Sequence, residues 1–116
     1  MLYSPFSNLY ANIAAQMAAL SMTHADEAAF KTWCYAAWKD SGFTSNFAVL
    51  KQPSAQLSIQ FNVRVGTSGH KVNVWWGDGT SNSYAPTSVA NTSCAKTYAT
   101  GAIRPVVLIG KVTRFE

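Results

Sequence analysis

Asp78 stands between Gly77 and Gly79, just after Val72-Asn73-Val74-Trp75-Trp76 and just before Thr80-Ser81-Asn82-Ser83-Tyr84. A carboxylate so placed can be a general acid or base, a ligand for a hard cation, or the acceptor that closes a hairpin tip. Acid–base work needs a second titratable group or a nucleophile close by. The other acids, Asp26, Glu27, Asp40 and Glu116, fall in helical or terminal positions. A calcium ion asks for six or more oxygens, and Asp78 is the only acid of its neighbourhood. The turn remains: glycines on either side permit positive φ, and an aspartate there accepts from nearby backbone N–H groups. Gly77, Asp78 and Gly79 are therefore expected to be structural.

The other chemistry-bearing residues form no constellation. His24 falls at a helix start and His70 in a glycine-flanked turn. Cys34 and Cys94 cannot make a zinc site alone and lack ligand spacing to either histidine. A disulfide between them is open, with buried thiols as the simpler reading. The serine-rich turns offer hydroxyls without an activating base. No catalytic residue, metal or cofactor is expected.

The elements that position these residues divide near residue 50. Before it the period is helical: Phe30, Trp33, Cys34, Ala37 and Trp38 form one stripe. Thr23 followed by Asp26 resembles a capping box and Gly42 is a stop signal, giving a helix over about 24–40. Leu9, Ile13, Met17 and Leu20 align on a second helix, roughly Ser7 to Leu20. After Pro53 the period drops to two. Leu57, Ile59, Phe61, Val63 and Val65 alternate with Ser58, Gln60, Asn62 and Arg64, a half-buried antiparallel strand. Such a long regular strand is a ready edge for pairing with another chain. Val72, Val74 and Trp76 share the core face of the next strand, which the Gly77–Gly79 tip returns through Thr80–Tyr84. Residues 105–115, Pro-Val-Val-Leu-Ile-Gly-Lys-Val-Thr-Arg-Phe, read as one last strand.

The run Val74-Trp75-Trp76-Gly77-Asp78-Gly79-Thr80, then Lys96-Thr97-Tyr98-Ala99-Thr100-Gly101, then Val106-Val107-Leu108-Ile109, resembles the polycystic-kidney-disease (PKD) type of immunoglobulin-like domain. The resemblance covers about residues 55–116. Lys96 stands where the family has histidine, Ile103 where it has tyrosine, and Pro105 interrupts the start of the last strand, as an edge strand would tolerate. Together with the helical pair of residues 1–50, the resemblance gives an α+β chain whose residues 51–116 form a small antiparallel Ig/PKD-like β-sandwich. It also implies that Asp78 and its glycines are structural.

Alternation places Asn73 and Trp75 on the face away from Trp76. Trp75 is either covered by the helical pair or exposed as an anchor. A sheet this small needs a second layer, which favours cover. In the exposed case Trp75, Tyr84 and Tyr98 would be the binding surface, with stacking faces for a glycan.

Charged residues are 12% of the 116-residue chain, about half the ~25% of ordinary domains. A surface so poor in charge is less defended against association, which favours a chain packed against other protein subunits. The net charge of +4 is uneven, −1 over residues 1–50 and +5 over 51–116, but its basic residues are scattered singly. That pattern speaks against nucleic acid as a partner. No apolar run approaches a membrane span, and no secretory signal is visible in the first twenty residues. PKD-like domains occur on cell surfaces and in phage particles. The sequence therefore favours a phage virion component, capsid decoration or tail, with an adhesion or glycan-binding module of a bacterial surface protein as the alternative.

Overall fold

The structure, a computed structural model, describes residues 5–22, 26–44, 46–66, 70–86 and 92–115. Two helices come first, α1 (Pro5–Ala19) and α2 (Glu27–Asp40). Seven strands follow: β1 (Phe47–Gln52), β2 (Ser58–Val65), β3 (Val72–Trp75), β4 (Ser81–Tyr84), β5 (Thr92–Thr97), β6 (Arg104–Gly110) and β7 (Val112–Phe115). They form two antiparallel sheets, ordered β1-β6-β3-β4 and β5-β2-β7. This is an α+β fold: a helical pair and a small sandwich.

Each helix end has a local cause. Asp26 caps α2, its side chain accepting from the Ala29 N–H at 3.0 Å. Thr23, the other half of the expected capping box, and His24 lie outside the described residues. At the far end Gly42 takes φ +72°; its N–H donates to the Lys39 carbonyl and that of Phe43 to Trp38, a Schellman closure. α1 ends the same way, with Ser21 at φ 58° and Met22 N–H donating to the Met17 carbonyl.

The four-stranded sheet is the middle of three layers. On one face Trp75, Val107 and Ile109 meet Phe6, Leu9, Ile13 and Met17 of α1 and Phe30, Cys34 and Ala37 of α2. On the other, Val72, Val74, Trp76, Val106 and Leu108 meet Phe61, Val63, Val65 and Cys94 of the second sheet. Strand alternation alone sends neighbouring residues to opposite layers. It also explains why Val106-Val107-Leu108-Ile109 is apolar without a break: β6 is covered on both faces.

Four expectations need correction. Residues 105–115 are two strands, because the chain leaves one sheet at Gly110 and enters the other at Val112. A Cβ on Gly110 would lie 3.0 Å from Val72 Cα, so a side chain at the crossing point would crowd the neighbouring backbone. Strand β2 is the centre of its sheet, not an edge. β6 is likewise internal; Pro105 is tolerated near its start, beyond the last β3 pair at Trp75↔Val107. Finally, β1 runs from 47 to 52 across the expected boundary at residue 50 and pairs with β6 from Phe47↔Ile109 to Gln52↔Arg104.

The pairs β2–β5 and β3–β6 are those at the heart of an immunoglobulin sandwich, where strands B and E share one sheet and C and F the other. The first and last strands are exchanged: β1 lies beside β6 and β7 beside β2.

Residues 51–116 alone lack most of β1 and the whole layer over Trp75. That fragment is expected to unfold without cooperativity and to give poorly dispersed amide spectra, while the full chain melts in one transition. Circular dichroism and NMR of the two will check it.

Candidate functional site

Pairing of Trp75 with Ser81 leaves Trp76 to Thr80 as the loop of the β3–β4 hairpin, closed by the Trp76 N–H on the Thr80 carbonyl at 3.1 Å. Gly77 and Gly79 both have positive φ, 83° and 87°. They differ in surroundings: a Cβ on Gly77 would meet the Pro105 carbonyl oxygen at 2.6 Å, whereas one on Gly79 would meet nothing within 4 Å. Gly77 is thus fixed by space as well as by φ.

Asp78 Oδ1 accepts from the Thr80 N–H at 3.1 Å and from the Thr80 hydroxyl. Its Oδ2 lies 3.1 Å from the Lys96 ammonium, which also donates to Thr80 Oγ1 at 3.0 Å. Burial would raise the carboxyl pKa, but Thr80 and Lys96 outweigh it and hold Asp78 below its ordinary value. Lys96 therefore ties β5 to the β3–β4 tip. Tyr98 completes the tie by donating its hydroxyl to the Trp76 carbonyl at 2.7 Å. Arg104 lies 4.2 Å over the Tyr98 ring. Burial and the charge of Asp78 push that phenol up to about 12, against the pull of Arg104. Trp76 Nε1 is bonded too, to Asn82 Oδ1 at 2.7 Å. Every polar group of this loop so described is engaged in holding the hairpin and the two sheets together.

The three aromatic residues that the alternative reading would use as a stacking surface lie as follows. Trp75 is 8% exposed, under the rings of Phe30 and Trp33 at 5.6 Å each. Tyr98 is 3% exposed. Tyr84 is half-buried against the inter-sheet core. A sugar needs an open ring face, so Trp75 and Tyr98 are not available to one: the helical layer covers the first, and the bond to Trp76 turns the second inward.

A second polar cluster has no clear sequence signature beyond an asparagine in an apolar strand. Asn73 Nδ2 donates to Asp40 Oδ2 at 3.0 Å and to Ser41 Oγ at 3.2 Å, and Ser41 Oγ donates to the Ile109 carbonyl at 3.1 Å. Ser83 Oγ donates to Asp40 at 3.3 Å, and Lys71 pairs with it at 3.5 Å. A carboxylate ending a helix opposes the helix dipole. Asn73 first, then Lys71 and Ser83, nevertheless hold Asp40 below its ordinary pKa against the effect of burial. The cluster pins the end of α2 to β3, β4 and β6.

His70 is half-buried, without a partner for its Nδ1. Cys34 and Cys94 are free and lie in different cores, on opposite sides of the middle sheet. Among the described residues no three of His, Cys, Asp or Glu are grouped to hold a metal ion, and no helix is long and apolar enough to cross a membrane. No protein-family model matches the chain, and no curated protein or solved structure matches it significantly.

Two predictions follow from these geometries. Burial pushes the Cys34 thiol up to about 12 and the Cys94 thiol up to about 11. Both are expected to resist a thiol reagent at pH 8 in the native protein and to react at once in denaturant; rapid native labelling of either would contradict the packing. Asp78→Asn is expected to lower stability at pH 7 by about 1 kcal/mol, a few degrees in melting temperature. Because folding lowers the Asp78 pKa, the stabilisation is complete above its unfolded value of about 3.9 and is lost as pH falls through the folded value. Wild-type and variant melting curves should therefore converge in acid.

Proposed function

We propose that this chain is a non-catalytic structural or interaction protein, a PKD-like sandwich with a helical layer, that works as a subunit of a larger assembly, a phage virion decoration or tail component. The observation that carries the reading is the state of Asp78. The one acidic side chain in a motif-like setting accepts from Thr80, pairs with Lys96, and closes a turn. Carboxylates that act in catalysis are kept accessible to a substrate proton. The PKD resemblance assigns the same turn role to this residue, and the shared β2–β5 and β3–β6 pairs support it.

The surface supports assembly. Charged residues are 12% of the sequence; the exposed residues of β2 and β4 are Ser58, Gln60, Ser81, Asn82 and Ser83, and Arg64 is a half-buried charge on the outer face of β2. Uncharged polar surface is cheap to desolvate beside charged surface, so it suits permanent contact with neighbours. The glycan-binding alternative loses support with the burial of Trp75 and Tyr98.

Antibodies against the chain should label intact particles in electron microscopy, and particle protein resolved on a gel should contain the chain in many copies. Recovery of the chain only outside particles, as a free monomer, would overturn the reading.

A further inference from the structure

The inner side of α2 faces the core, and its outer side and C-terminal exit carry rings that are partly or largely in solvent. Phe43 is 64% exposed and Tyr35 46%. They are not isolated. Phe43 meets the Trp38 ring edge-on at 4.9 Å, Trp38 meets Tyr35 at 5.8 Å, and both Trp38 and Tyr35 meet Phe6, at 5.6 and 5.0 Å. The result is a chain of ring contacts across the ends of both helices, with Phe43 and Tyr35 exposed, Trp38 half-buried and Phe6 buried beneath them. Single exposed apolar residues are ordinary; a contiguous patch is not.

Phe43 adds an independent observation. Its φ is +61°, the left-handed region that a bulky L residue seldom adopts. The Schellman closure already has Gly42 to make its left-handed turn, and the following position can be filled by any residue at ease there. The Phe43 N–H closes the Schellman bond to Trp38 and its ring packs edge-on against Trp38, the contact such a closure favours, but most of the ring is left in solvent on a strained backbone. Strain of this kind concentrates where a surface is used.

The charges around the patch have one sign. Lys39 Nζ lies 4.5 Å from the Tyr35 ring, and Lys111 reaches the backbone of Gly42, its Nζ 3.0 Å from where a Cβ there would be. Lys31, two turns up α2 from Trp38, lies over the ring of Tyr10. The two nearest acids on the helix are committed elsewhere: Asp40 to Asn73, Ser83 and Lys71 on the sheet side, and Glu27 to the Tyr10 hydroxyl at the other end of α2. A second copy of the same face would bring lysines against lysines.

We infer that Phe43, Tyr35 and Trp38, with Lys39 and Lys111 beside them, form a docking surface for an acidic protein segment that lays an apolar side chain against the rings. This deepens the assembly reading and rests on it. Aromatic anchors supply the tight contact at such interfaces, and the lysines on the rim speed and orient the encounter.

The test uses a display library of random twelve-residue peptides, selected against the immobilised full chain. Enrichment of peptides with Asp or Glu flanking Trp, Phe or Leu is expected, with at least tenfold weaker binding to Phe43→Asn and to the Lys39→Glu/Lys111→Glu double variant. Asparagine tolerates positive φ, so Phe43→Asn should melt at or above the wild-type temperature. Enrichment of basic or uncharged peptides, or binding indifferent to these variants, would overturn the inference. So would a clear drop in the melting temperature of Phe43→Asn, which would make the ring a part of the fold. A chain found in particles whose selected peptides ignore Phe43 would keep the assembly reading and lose this surface.

Discussion

The middle sheet is apolar on both faces, and that constraint organises the rest. Val106 and Leu108 look toward the second sheet while Val107 and Ile109 look toward the helices, so β6 cannot be left with one side in water. Covering a valine or leucine contributes roughly 1.5–3 kcal/mol each. Neither cover alone would bury all four. The helices are therefore a structural layer of the sandwich, and Trp75 is the residue that makes them so. Its indole lies against Phe30 and Trp33, and aromatic contacts of this kind add about 0.5–1.5 kcal/mol each to simple burial.

What is legible in the sequence follows from how many neighbours decide a residue's place. The α2 stripe, the alternation through Phe61, Val63 and Val65, and the opposed faces of Trp75 and Trp76 each depend on one local period, and each is visible in the chain. Strand β1 is less so. Phe47, Ala48, Val49 and Leu50 are half-buried on both sides of an edge strand, so they show four apolar residues and no alternation. The break between β6 and β7 is hidden for another reason. The close approach of Gly110 to the Val72 backbone marks the point where the chain leaves its sheet, and no pattern within 105–115 records that contact. The central place of β2 depends on two partners that come some thirty and fifty residues later in the chain.

The site divides in the same way. The turn role of Gly77, Asp78 and Gly79 is readable because short-range geometry sets it. The partner is not: Lys96 reaches Asp78 only because β5 and the hairpin tip come together across the sandwich. An ammonium there does more than hydrogen-bond, since it also neutralises a carboxylate whose side chain is only 23% exposed. Tyr98, a stacking residue in the glycan-binding alternative, points inward by its bond to Trp76. The Asp40–Ser41–Asn73 cluster shows only as an asparagine among valines, because its other members belong to a helix end more than thirty residues away.

These two polar clusters also say where variation can be carried. One clamps the hairpin tip to β5, the other clamps α2 to the middle sheet, and together they fix the helix end from which Phe43 projects. Asn73 satisfies a helix-terminal carboxylate that would otherwise oppose the dipole, so the Asp40–Ser41 segment is held at three strands at once. Gly42 and Phe43 then leave from a fixed base. A ring on a loose loop would lose conformational entropy on being ordered by a partner; a ring on a clamped helix end has already lost it during folding. The strained φ of Phe43 is sustainable for the same reason, since the Schellman bonds and the Asp40 cluster leave the chain no easier route out of the helix. Rigid support beneath an exposed ring is what links the packing of the middle sheet to the outer face of α2.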